Sequence, residues 1–359
     1  MLIETALVLA KIGFVLAAVL NFALLLTWVE RKQSAVIQDR IGANRASILG
    51  IRALGLFHTL ADGIKMFTKE DFVPASADRF LHALAPFLSL FCALVTFAVL
   101  PFGDVLRVGG REVQLQVVDL NIGVLFVFAF AALGIYGALL AGWASGNKWS
   151  LLGSLRAAAQ MISYEVTLGL TIIGVLMICG SLELDEIARA QGELVWGIPK
   201  WGILLQPVGF ILFMTAAIAE TKRVPFDVPE GESEIIGYQL EYSGMKFGAF
   251  MLTDFVESIM AAGVGATLFL GGWQVPYLQP SGFAFPWGGS WPLPHLVVVA
   301  LQMLAFLLKV AVLCWLQMQI RWTLPRFRYD QVIRLGWQML LPLSLANVFV
   351  TGAVLLLVR

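Results

Sequence analysis

The chain has 359 residues, of which 59% are hydrophobic and only 13% charged, and its 24 basic and 24 acidic side chains cancel to zero net charge. No water-soluble domain of this length carries that composition, so lipid is the solvent for most of the molecule. The charges sit in short clusters between apolar runs and form no basic stripe, which excludes nucleic acid as a partner.

A membrane-spanning helix needs about 20 mostly apolar residues. Runs of that kind fall near residues 5–29, 80–101, 119–141, 158–180, 201–221, 248–270, 295–319 and 337–358. The expected fold is an all-α integral membrane protein of about eight spanning helices, a single polytopic domain over residues 1–359. The first run, Leu7 to Val29, is followed by charge instead of a small-residue cleavage site, so it reads as a first spanning helix and not a removed leader. Between the first two runs Leu54, Phe57, Leu60, Ala61, Ile64 and Phe67 recur at three- and four-residue steps, with His58, Asp62, Lys65 and Lys69 opposite. That spacing predicts an amphipathic helix near residues 52–69, lying along the membrane surface or roofing a cavity.

Loop charge sets the orientation. The loops at 30–79, 142–157, 221–247 and 320–336 hold 17 Lys and Arg residues, against five on the opposite side. Those four loops are therefore expected on the cytoplasmic side, with both termini across the membrane. Cys92, Cys179 and Cys314 are scattered through apolar runs and the three histidines are isolated, so no metal, cluster or haem site is encoded locally.

Ionisable groups inside a bilayer each cost at least about 2.5 kcal/mol and ask for a partner or a task. The fourth run places Glu165 beside Tyr164, Glu220 closes the fifth, and Asp254 and Glu257 share one face of the sixth. Lys309 lies in mid-helix in the seventh, where a carboxylate partner is expected; Lys11, near a helix end, has room to snorkel and reads as structural. A carboxyl buried as Glu165 would be is suited to exchange a proton near neutral pH. The loop over 220–247 concentrates acid: Glu220, Asp227, Glu230, Glu232 and Glu234 surround only Lys222 and Arg223, and Pro225, Pro229 and Gly231 keep the segment from forming a helix.

These blocks resemble a known family. Glu30-Arg31-Lys32, Gln38-Asp39-Arg40-Ile41-Gly42, Ala61-Asp62-Gly63-Ile64-Lys65, Ile162-Ser163-Tyr164-Glu165, the acidic loop through Glu241-Tyr242-Ser243-Gly244, and Arg328-Tyr329-Asp330-Gln331 are similar, in order and along the whole chain, to the H subunit of proton-pumping NADH:quinone oxidoreductase, respiratory complex I. The resemblance implies a multi-pass component of the bacterial cytoplasmic (inner) membrane. It implies that Glu30, Arg31, Arg40, Asp62, Lys65, Arg223, Phe226, Asp227, Glu230, Glu232 and Glu234 line or border a quinone chamber. Tyr164, Glu165, Glu220, Asp254, Glu257 and Lys309 would then belong to a proton path into the membrane.

Quinone would be the substrate, with no cofactor on this chain. Flavin and iron–sulfur clusters would sit in partners: hydrophilic-arm subunits, including the bearer of the terminal cluster, and small membrane subunits leading to antiporter-like ones. The chain departs from the family's usual pattern at Ala43, where proline is usual, at Lys222, where asparagine is, and at Asp254, where glutamate is; the third run holds no acid around Ala132. Two other readings compete: the equivalent component of a membrane-bound hydrogenase-type complex, and a stand-alone ion transporter, which should show broken helices in two matching halves.

Overall fold

The first apolar run becomes helix α1, Leu2–Ile37. Val15, Val19, Ala23, Leu26 and Glu30 recur at three- and four-residue steps along its buried face, while Leu9, Phe14, Leu24 and Leu25 point outward. The helix runs past its apolar limit at Val29 because Glu30, Gln33 and Ser34 remain buried against the rest of the bundle. The computed structural model describes every residue except Met1, Gly109, Trp196, Glu230, Glu232, Ser233, Glu234, Ile236 and Arg359.

The amphipathic segment forms α2, Phe57–Thr68, with Leu60, Ile64 and Phe67 exposed. Helix α3, Arg79–Val95, starts where Asp78 accepts hydrogen bonds from the Phe80 and Leu81 amides, both at 3.0 Å, satisfying two otherwise orphan donors. Helices α4, Gly123–Ala144, and α5, Lys148–Cys179, follow; α5 is capped by the Asn147 side chain and stopped by left-handed Gly180. Small residues let these backbones approach, as spanning helices require in the absence of a hydrophobic drive between them. A Cβ on Gly137 would lie 2.7 Å from that of Ser89, and one on Gly142 would fall onto the Ser154 hydroxyl.

Where residues 201–221 predict one spanning helix, two helices form: α7, Gly202–Leu205, and α8, Pro207–Glu220, after the short α6, Leu184–Ala190. Pro207 has no amide hydrogen to continue α7 and sits at the first position of α8, where none is needed. Polar side chains secure this break. The Gln206 carboxamide donates to Thr351 Oγ1 at 2.6 Å and accepts from Asn347 Nδ2 at 2.9 Å. Gln191 donates to the Ile187 and Thr267 carbonyls, at 3.3 and 2.8 Å, and accepts from the Gly202 and Gly271 amides, at 2.9 and 3.0 Å.

Helix α9, Gly244–Phe269, runs through the centre, followed by α10, His295–Thr323. The last span is continuous through α11, Tyr329–Arg334, a π-helical turn, Leu335–Leu340, and α12, Leu341–Val358. Seven helices among the described residues are long and apolar enough to cross a membrane, and α8 is a shorter apolar eighth. The molecule is an all-α integral membrane protein; its strands are short hairpins in the loops between spans.

One lysine departs from expectation. Lys309 finds no carboxylate among the described residues: its ammonium donates to the carbonyls of Gly272 and Gln274, at 2.9 and 2.6 Å, and lies 4.6 Å from the centre of the Trp201 ring. Backbone carbonyls freed where α9 ends, together with an indole face, solvate the cation without a counter-charge. Lys11 donates to the Gln116 carbonyl, in the loop between α3 and α4, at 3.1 Å.

Candidate functional site

The ends of α1, α8 and α10 and the start of α9 meet at the basic-loop end of the bundle. Glu30, the last buried acid of α1, receives Arg321 of α10 at 2.6 Å and Arg223 at 3.8 Å. The Arg223 guanidinium also stacks over the Phe255 ring, 4.1 Å from its centre. Burial pulls Arg223 below the ordinary arginine range, with Glu30 acting against that pull. One face of α1 thus carries an acid between two guanidinium groups, a low-dielectric setting that responds strongly to any change of charge beside it.

Arg31 leaves α1 on another face and reaches Asp62 of α2 at 2.5 Å, with Lys65 at 3.7 Å. These pairs are half-exposed and tie the amphipathic helix to α1. Ser243 and Lys246 hold the segment beyond α2: the Ser243 hydroxyl donates to the Glu70 carbonyl at 2.8 Å, and Lys246 meets Asp71 at 2.9 Å. Arg40 lies apart from the cluster, exposed, with its Nε donating to Gln38 Oε1 at 2.7 Å.

The segment after α8 folds back into the bundle. Lys222 adopts the left-handed conformation, with φ of 55°, and so reverses the chain immediately after Glu220. Gln160 of α5 pins the return, donating to the carbonyls of Ala219 and Phe226 at 2.6 and 2.7 Å. Phe226 then packs between the rings of Tyr164 and Phe327, at 5.8 and 5.5 Å, and Asp227 takes Arg326 at 2.7 Å. Tyr164 is fully buried and donates to the Val332 carbonyl at 2.8 Å, so its hydroxyl is committed to fixing the last helix. Glu230, Glu232 and Glu234 lie outside the described residues.

The turn aims Lys222 inward, where its ammonium stands 3.7 Å from Asp254 and 3.4 Å from Glu257. Burial disfavours that charge, but the carboxylates of Glu257 and Asp254 outweigh it and hold Lys222 protonated above the usual lysine range. Glu220 and Glu257 both reach the wall of a cavity of about 70 Å³ between α3, α4, α5, α8 and α9. Glu165 is half-buried on α5 next to Tyr164, near enough to Glu220 for the two charges to repel.

The structure therefore joins Glu30, Arg223, Asp254, Glu257 and Glu220 in one continuous run, to which Arg31, Asp62 and Lys65 are flanking. Lys309 lies outside it, bonded to the loop after α9. Three partners escape a reading of the sequence: Lys222 shows there only as a base of the acidic loop and a departure from the family pattern, and Arg321 and Arg326 only as loop charge. The usable signal is the imbalance, since the acids Glu30 and Asp227 each imply a cation from a basic-side loop.

A bundle of membrane-length helices with a run of buried acids and bases at one end defines a class: integral membrane proteins with an ionisable interior. The family model for NADH dehydrogenase matches residues 10–352, and the chain belongs to that family. Relatives that carry the name of the H subunit of NADH-quinone oxidoreductase are similar over nearly their full lengths. That of Thermomicrobium roseum is 46% identical over 349 residues, covering 96% of this chain and 94% of the relative. A relative from Cytophaga hutchinsonii is 43% identical, covering 94% and 93%. One from Geobacter metallireducens is also 43% identical, covering 99% and 98%.

Proposed function

We propose that this chain is the membrane component of a proton-translocating NADH:quinone oxidoreductase that frames the chamber in which quinone is reduced and passes the resulting charge change into the membrane. Full-length similarity to proteins named as the H subunit of that enzyme supports the assembly. The observation that carries the mechanism is the adjacency of Arg223 and Lys222. One residue belongs to the Glu30–Arg321 cluster at the surface, the next to the Asp254–Glu257 cluster inside.

Reducing a quinone takes two electrons and two protons, so a dianionic equivalent must be neutralised beside the headgroup. The electrons arrive from an iron–sulfur cluster of a hydrophilic-arm partner, itself fed through a flavin protein. Quinone enters from the bilayer beside the amphipathic helix α2. Its headgroup meets the cluster of Glu30, Arg223 and Arg321, and the acids of the loop over 220–247 respond to the developing charge. The response passes through the Lys222 turn to Asp254, Glu257 and Glu220, then by way of Glu165 to small membrane subunits and the antiporter-like ones beyond. The basic loops face the cytoplasm in this arrangement.

Two variants of the assembled complex in vesicles test the two halves. Arg223→Ala removes the guanidinium from the chamber and is expected to lower quinone reductase activity; unchanged kinetics would remove Arg223 from quinone binding. Glu220→Gln is expected to impair proton pumping more than assembly or uncoupled reductase activity, and intact pumping would take it out of the path.

A further inference from the structure

The connection between α9 and α10, residues 271–294, contains no Asp, Glu, Lys, Arg or His but six aromatic residues. It folds into three short antiparallel strands, Leu278–Gln279, Gly282–Ala284 and Ser290–Pro292. Side chains two apart on a strand share a face, as do residues paired across strands. Phe283 and Phe285 therefore share a face with Trp291, which pairs with Phe283. The rings of Phe283, Phe285 and Trp287 stack in file, with centroids 5.9 and 5.3 Å apart, and Tyr277 braces the last two at 5.9 and 5.6 Å. Tyr277 is itself fixed, its hydroxyl donating to the Gly197 carbonyl at 2.8 Å. The face ends in the open: Trp287 is 74% exposed and Trp291 67%.

The helix that follows sets the height of this face. With Arg321 at one membrane boundary, the about 20 residues that cross the hydrocarbon end near residue 301 of α10, so His295 stands about 9 Å further out, at headgroup level. Trp291 lies just ahead of His295 in the chain, and just after it Leu296 and Val297 are exposed, followed by exposed Leu304, Leu307 and Leu308 within the span. His295, the one ionisable group at the junction, is occupied with the Arg107 amide at 3.1 Å. A second hairpin at the same end, Leu106–Val108 with Arg111–Val113, is built for water: exposed Arg107 and Glu112 pair across it at 3.0 Å.

We propose that the aromatic face of the 278–292 hairpin is a lipid contact, with Trp287 and Trp291 seated among the headgroups of the leaflet opposite the Glu30–Arg223 cluster. Indole combines a large apolar body with one N–H donor, which suits the boundary between acyl chains and headgroups. An exposed aromatic strip facing water alone would be an aggregation hazard. A segment without charge offers nothing to a charged partner and everything to a bilayer surface of either headgroup sign. The same segment begins at Gly272 and Gln274, whose carbonyls hold Lys309, so lipid at one end and the buried ammonium at the other fix the connection between α9 and α10.

This contact does not depend on the quinone reading. Its test uses the assembled complex in nanodiscs of phosphatidylethanolamine and phosphatidylglycerol, doped with a phosphatidylethanolamine that carries a diazirine on its headgroup. After photolysis, peptide mass spectrometry is expected to find adducts on residues 283–291 at least about fivefold above those on the Leu106–Val113 hairpin. Equal labelling of the two hairpins would overturn the proposal, and so would cross-links from residues 283–291 to another subunit in place of lipid. Trp287→Ser combined with Trp291→Ser alters exposed side chains only and should bring the adducts down to the level of the other hairpin, whereas tyrosine at both positions should retain them. Labelling that the serine variant leaves unchanged would mean that these indoles make no lipid contact of their own.

Discussion

Replacing Lys222 with methionine keeps the stem that fills the turn and removes the one ammonium shared by Asp254 and Glu257. At 3.7 and 3.4 Å, with an effective dielectric constant of about 20, each attraction is about 4 to 5 kcal/mol before the cost of desolvating the three charges. Removing one partner from such a buried set leaves uncompensated carboxylates and costs about 3–5 kcal/mol. Lys222→Met is therefore expected to destabilise the complex strongly in thermal unfolding. Adding Asp254→Asn should restore part of the loss, because the net charge of the group returns to its original value. A double-mutant cycle over Lys222 and Asp254 should yield a coupling energy of about 1–3 kcal/mol, with quinone reductase activity following the same order. A double variant no more stable than Lys222→Met would refute the reasoning, since the lysine would then act by packing alone.

The acid between two guanidinium groups makes its own prediction: Glu30→Gln leaves Arg223 buried without its counter-charge and should lower quinone reductase activity about tenfold or more, with Glu30→Asp milder. Gln191→Leu deletes four hydrogen bonds that tie α6 to the start of α7 and the end of α9 and strands the Thr267 carbonyl and the Gly202 and Gly271 amides, so unfolding measurements should show a loss of about 3 kcal/mol or more; unchanged stability would mean water replaces them. On the opposite side of the bundle Glu183 is pushed up from 4.5 to about 7 by burial, by the charges of Asp119 and Glu186, and by a hydrogen bond with Asp119. Between those two pH values the folded chain holds a proton that the unfolded chain has released, so stability falls as pH rises through that window. The melting temperature of Glu183→Gln should lack this component of the slope, and parallel profiles for variant and wild type would show that Glu183 does not titrate there.

Helices are legible in the sequence wherever an apolar run is long, because chain length against bilayer thickness decides that question without tertiary information. The start of α5 at Lys148, ten residues ahead of the predicted run, is not, since Ser150, Ser154 and Arg156 look like loop until the two serines are seen against the end of α4 and Arg156 over the Tyr329 ring. Pro207 is a visible signal for the break at Gln206, but an uninterrupted apolar run outweighs it. Individual acids of the site are legible from their cost in lipid. Their partners are not: the contact of residue 222 with residues 254 and 257 depends on a left-handed turn, and any residue can supply the backbone carbonyls that Lys309 uses.

Three of the four departures from the family pattern converge on one place. Lys222 and Asp254 face each other at 3.7 Å, and the acid-free stretch of α4 forms a wall of the cavity into which Glu257 looks. A lysine at this turn engages Asp254 and Glu257 together, so neither can change charge without moving the ammonium's share of attraction. Glu220 differs, because among the described residues no cation stands within ion-pair distance of it. It lies two residues ahead of Lys222 and on the cavity wall. The paired acids therefore set the field, and the unpaired one is free to exchange.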